Sequence, residues 1–84
     1  MRLLGKDKLQ RLVRTDGRAH TWVCAWVEEL TTANWKQAAD VSHQFPNVRQ
    51  PEPGHFIFPI CNCKKEVCLQ IAFQQGIAVI TGIQ

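Results

Sequence analysis

Between Phe56 and Gly82 the chain reads FIFPICNCKKEVCLQIAFQQGIAVITG, and this stretch leaves few folds open. Apolar and polar residues alternate through its middle. Val67, Leu69, Ile71 and Phe73 fall on one face of an extended strand, and Glu66, Cys68, Gln70 and Ala72 on the other. Gln75 and Gly76 stand where two strands would reverse, and glycine accepts the positive φ that a tight hairpin turn demands. A charged bend at Lys64, Lys65 and Glu66 separates the middle strand from an earlier one that begins at Phe56. The stretch therefore predicts a three-stranded antiparallel meander with one face on a core and the other open to a partner. Pro59 has no N–H to give to a ladder, which confines its strand to an edge or marks a bulge.

Such a sheet needs a cover for its apolar face, and the residues before it supply one. Met1 to Leu4 predicts a short edge strand, turned by Gly5. From Lys6 onward Leu9, Leu12 and Val13 share a face of a first helix that ends near Thr15. Asp16 is placed as the N-cap of a second helix running to about Leu30, because its carboxylate can accept the free backbone N–H groups. Trp22 and Trp26 are four apart on that helix, as are Val23 and Val27. Paired tryptophans can stack nucleobases, but packing a small core is their plainer use. Thr31, Thr32 or Asn34 is expected to cap a third helical segment containing Trp35, Ala38, Ala39 and Val41, which stops before Pro46. Residues 46–54, PNVRQPEPG, read as a stiff connector with little secondary structure. A strand, helices and then antiparallel strands predict one α+β domain over residues 1–84, with the N-terminal helices packed on one face of a small antiparallel sheet.

A chain of 84 residues supports one small core. No apolar run approaches the roughly 20 residues of a membrane span, and no apolar segment of signal-peptide length follows Met1. A cytoplasmic protein is expected, and Cys24, Cys61, Cys63 and Cys68 are then read as thiols. Cys61, Cys63 and Cys68 form a weak soft-metal pattern, one ligand short of a tetrahedral set, so neither a metal nor a cofactor is expected. The net charge of +3 is unevenly spread. Arg2, Lys6, Lys8, Arg11, Arg14 and Arg18 outnumber Asp7 and Asp16, a surplus of four in the first 18 residues. Such a run can track a phosphate backbone, and Lys6, Lys8, Arg11 and Arg14 are the candidate RNA-binding residues. A solvated helix face is the plainer alternative.

The order of these pieces resembles one known family. MRLLGKDKLQRLV, then WVCAWVEELTTANWKQAADV and QFPN, then FIFPICNCKKEVCLQIAFQQGIAVITGI are similar to the HigB-type toxins of bacterial type II toxin–antitoxin pairs, in the RelE-like superfamily. Trp35 and Lys36 match the family's WK pair, and Phe58, Ile60, Asn62 and Lys64 match its VFN(V/I)KGN(K/R)YRL hairpin. The hairpin diverges at Cys61 to Val67, where Glu66 replaces an arginine. The chain reaches Gln84 without the family's GTHxxY segment, so a C-terminally truncated member is expected.

The resemblance implies a RelE-like fold and an mRNA endoribonuclease that inhibits translation, acting on message at the ribosome and held by a cognate antitoxin of helix-turn-helix type. Cleavage of this kind uses the 2′-hydroxyl as nucleophile and needs a base, a cation on the phosphate and an acid for the leaving oxygen. His55, which matches a basic position of some members, and the hairpin cations Lys64 and Lys65 are the candidate catalytic residues. Glu66 reads as a hairpin charge paired with those lysines. The alternative is a catalytically inactive, toxin-like module that binds an antitoxin or RNA without cleavage.

Overall fold

The alternating residues of the second half do form strands, and the helices cover them as the apolar faces require. The computed structural model of the protein describes residues 1–15, 17–60 and 64–84. In chain order the elements are β1 (Arg2–Leu4), α1 (Asp7–Thr15), α2 (Gly17–Thr32), α3 (Ala38–Gln44), β2 (Arg49–Glu52), β3 (His55–Pro59), β4 (Glu66–Ala72) and β5 (Ile77–Ile83). The strands make one sheet in the order β1-β5-β4-β3-β2. The meander β3–β4–β5 is antiparallel throughout, while β1 lies parallel to β5 at one edge. The sheet is thus mixed rather than wholly antiparallel, and the class is α+β.

One face of the sheet carries the core. Phe56 and Phe58 of β3, Val67, Leu69 and Ile71 of β4, and Ala78 and Ile80 of β5 are buried against Leu9, Leu12, Val23, Trp26 and Leu30 of α1 and α2. Trp22 stacks on Trp26 with ring centroids 5.7 Å apart, and Trp26 meets Phe58 edge-on at 5.4 Å. The tryptophan pair is core packing, although Trp22 stays half-buried.

Three local expectations are corrected. The segment read as a bare connector contains β2, an edge strand joined to β3 through Arg49↔Ile57 and Glu52↔His55 with an irregularity between them. The residue at the start of α3 is Gln37, not Thr31, Thr32 or Asn34. Asp40 supplies the cap from inside the helix, its carboxylate accepting the backbone N–H groups of Lys36 (2.9 Å) and Gln37 (3.3 Å). The Thr31 and Thr32 hydroxyls instead donate back to the Glu28 carbonyl. Trp35 precedes α3, buried and anchored by its Nε1–H donating to Gln44 Oε1 at 3.0 Å. The proposed cap Asp16 lies outside the described residues, as do Cys61, Asn62 and Cys63.

Pro59 sits in β3 without breaking its pairing with β4. It is opposite Glu66, and the Ile60 N–H donates to the Lys65 carbonyl at 3.2 Å, so Pro59 occupies a non-hydrogen-bonded pair. Its missing N–H would have pointed to the side where β2 has already ended, its last pairing being with Ile57.

Candidate functional site

The second face of the sheet has no helix over it. Along β4 it presents Glu66, Cys68, Gln70 and Ala72, half-buried or exposed. Cross-strand register sets their neighbours. Glu52, His55, Gln70, Val79 and Leu4 form one row across all five strands, and Arg49, Ile57, Cys68 and Gly82 form another. A residue missing from β4 opposite Thr81 makes a bulge in β5, and the Thr81 hydroxyl donates to the Cys68 carbonyl at 3.3 Å. Leu4 and Val79, the two exposed large hydrophobics among the described residues, face each other across β1 and β5.

At the hairpin end of this face Glu66 is held by an ion pair with the Arg49 guanidinium. This corrects its assignment to the neighbouring lysines: β2 delivers Arg49 beside Ile57, two residues along β3 from the Pro59–Glu66 pair and on the same face, and the guanidinium takes the carboxylate. It is the one ion pair between described residues. Cys68 lies next to this pair. Burial, and then the Glu66 charge, push its thiol above the ordinary value, with Arg49 acting in the opposite direction.

The cations expected to act together divide into groups. Lys8 and Arg11 of α1 converge with Lys65 on a cleft of about 550 Å³, which Asp7, Ile83 and Gln84 also line. Lys64 is exposed beside Lys65 at the start of the hairpin's return. Lys6, the residue before α1, and Arg14 instead line a groove between α1 and α2. The period of the helix explains the division: 8 and 11 are one turn apart, and 6, 10 and 14 are each four apart. That signal was available in the sequence.

His55 does not join the lysines. Its row lies four residues along β4 from the Pro59–Glu66 pair, so about 13 Å of strand separates His55 from the hairpin end. It stands instead between Glu52 of β2 and Gln70 of β4. The register thus puts a carboxylate residue and an amide residue in the strands on either side of this histidine. Arg49, Glu52 and Gln70 were not foreseen. The first two depend on β2, and Gln70 carries no distinguishing local pattern.

Among the described residues no three or more His, Cys, Asp or Glu side chains come together in a metal-binding group, and no helix is long and apolar enough to cross a membrane. No curated protein matches the chain. A protein family does: residues 19–84, which take in β2 to β5, α3, all but the first two residues of α2 and both flanks of the hairpin, match the family described as HigB toxin, RelE-like toxic component of a toxin–antitoxin system. The chain belongs to the HigB toxin family.

Proposed function

We propose that this chain is an endoribonuclease that cuts messenger RNA in the cytoplasm, so inhibiting translation, and that a helix-turn-helix antitoxin holds it inactive. The observation that carries this is the convergence of Lys8, Arg11 and Lys65 on one cleft at the hairpin end, on the helix side of a sheet whose uncovered face bears His55. Cations from two separate elements can track successive phosphates of a single strand. The open face offers the bases apolar surface at Ile57, Val79 and Leu4.

Roles follow from position. Lys64 and Lys65, with Lys8 and Arg11, hold the RNA backbone. His55 is too far from them to share one phosphate, and it acts on the scissile bond itself. It takes the 2′-hydroxyl proton, the oxygen attacks the adjacent phosphorus, and the bond from phosphorus to the 5′-oxygen breaks. The products are a 2′,3′-cyclic phosphate and a 5′-hydroxyl, the latter after protonation of the leaving oxygen.

The test is induction of the chain in growing bacteria, with Lys64 and Lys65 changed together to Ala in parallel, while growth and message integrity are followed. Growth arrest with message loss, absent in the double variant, is the expected result. Replacing His55 by Gln is expected to lower the cleavage rate by about 10²–10⁴ while RNA binding persists. A second reading, a module that binds RNA or antitoxin without cutting, is favoured by the separation of His55 from the lysines. Unaltered growth with good soluble expression decides for it.

A further inference from the structure

The groove between α1 and α2 is built like a seat for a third helix. One wall is Lys6, Leu9, Gln10 and Arg14; the other is His20, Val23, Cys24 and Val27. Both walls follow the i, i+3 or i+4, i+7 or i+8 spacing with which helices present a continuous stripe to a partner. Leu9 and Val23 form a buried floor and Val27 is half-buried, while Lys6, Gln10, Arg14, His20 and Cys24 are exposed along the rims. The groove measures about 430 Å³, and none of the described residues that line it is a carboxylate. Lys6 and Arg14 make no ion pair with any described residue.

We infer that this groove docks an acidic amphipathic helix of a protein partner. The charges select that occupant. Lys6 and Arg14 are eight residues apart, about 12 Å along a helical rise, and stand at the two ends of the apolar floor. A helix lying in the groove meets both when it carries carboxylates about two turns apart with apolar residues between them. A second copy of this chain brings a net charge of +3 to a basic rim and is disfavoured. The inference rests on the proposed function only in identifying the partner as the antitoxin. The groove's position, away from the cleft formed by Lys8, Arg11 and Lys65, leaves partner and RNA on different sides of α1.

The experiment uses the full chain and a synthetic helical peptide of about 20 residues, long enough to be helical in water. The peptide carries Leu on one stripe and Glu pairs about two turns apart. Its controls are a scrambled peptide of the same composition and a charge-reversed peptide with Lys for Glu. Affinity is read by fluorescence anisotropy, and site-resolved mass spectrometry follows alkylation of Cys24, which is exposed on the groove wall. The acidic peptide is expected to bind and to protect Cys24, and Lys6→Glu with Arg14→Glu to weaken binding about tenfold. The charge-reversed peptide is expected to regain affinity for that double variant. Equal binding by the scrambled peptide, or Cys24 alkylation unchanged at saturation, overturns the inference. So does protection of Cys24 by single-stranded RNA in place of the peptide, which would make the groove part of the RNA surface. Neither readout requires RNA cleavage, so failure here and failure of the ribonuclease reading are separate results.

Discussion

Trp26 buries its indole between Trp22 and Phe58, and its Nε1–H has no hydrogen-bond partner among the described residues. The ring therefore stabilises by area and aromatic contact, not by its polar atom. Trp26→Ala is expected to cost about 3–5 kcal/mol, whereas Trp26→Phe keeps an aromatic ring, discards the orphan donor and should cost well under half of that. Denaturant unfolding of the two variants checks the ordering, and equal losses would contradict it. Among the described residues, Cys68 is the titratable group that its setting shifts. Its raised thiol value means the folded state favours the protonated form. That contribution to stability is complete below the ordinary thiol value and is lost as pH rises through the raised one. Replacing Glu66 by Gln removes a charge that raises the thiol and releases Arg49, which lowers it. The midpoint of Cys68 alkylation against pH should therefore fall in that variant, and an unchanged midpoint would contradict the assignment.

The joints between elements are as demanding as the elements. Gly5 turns the chain from β1 into α1 at φ +84°, and a Cβ there would lie 2.9 Å from the backbone oxygen of Ile80. Gly76, in the β4–β5 turn, also has positive φ at +66°, but a Cβ there would meet open space. Gly5→Ala is therefore expected to lose about 1–3 kcal/mol or more, and Gly76→Ala only the conformational penalty of about 1–2 kcal/mol. Thermal unfolding should rank them in that order. Elements with strong periodicity were legible: the alternation of Val67, Leu69 and Ile71 found β4 and its buried face, and the apolar spacing of Leu9 and Leu12 found α1. β2 was not legible. Its four residues are all exposed, so no alternation marks it. Pro51 argued against a strand, and Pro51 falls between the two pairings, where the ladder is irregular.

At the scale of the molecule, α1 divides two surfaces. Lys8 and Arg11 turn to the cleft shared with the β3–β4 hairpin, and Lys6 and Arg14 to the groove shared with α2. The basic character of the first 18 residues and its division by helix period are legible in the sequence, but which surface each group faces is set by α2 and the end of β5. His55 and the lysines looked like one constellation because only ten residues separate His55 from Lys65. An extended strand carries its ends apart, and β3 does so here. Arg49 reaches Glu66 through strand pairing that no local signal announces. The molecule thus carries a basic cleft on the helix side of the sheet at the hairpin end, and a row through His55 on the uncovered side.

The most direct measurement of that account is the chemistry of RNA ends in cells. Total RNA is sequenced from bacteria expressing the chain, the His55→Gln variant or neither, by methods selective for 5′-hydroxyl and 2′,3′-cyclic phosphate termini. New ends of both kinds within coding regions, abundant with the parent chain and strongly reduced with His55→Gln, are predicted. An end profile matching that of uninduced cells, with the parent chain soluble and abundant, would contradict the central claim.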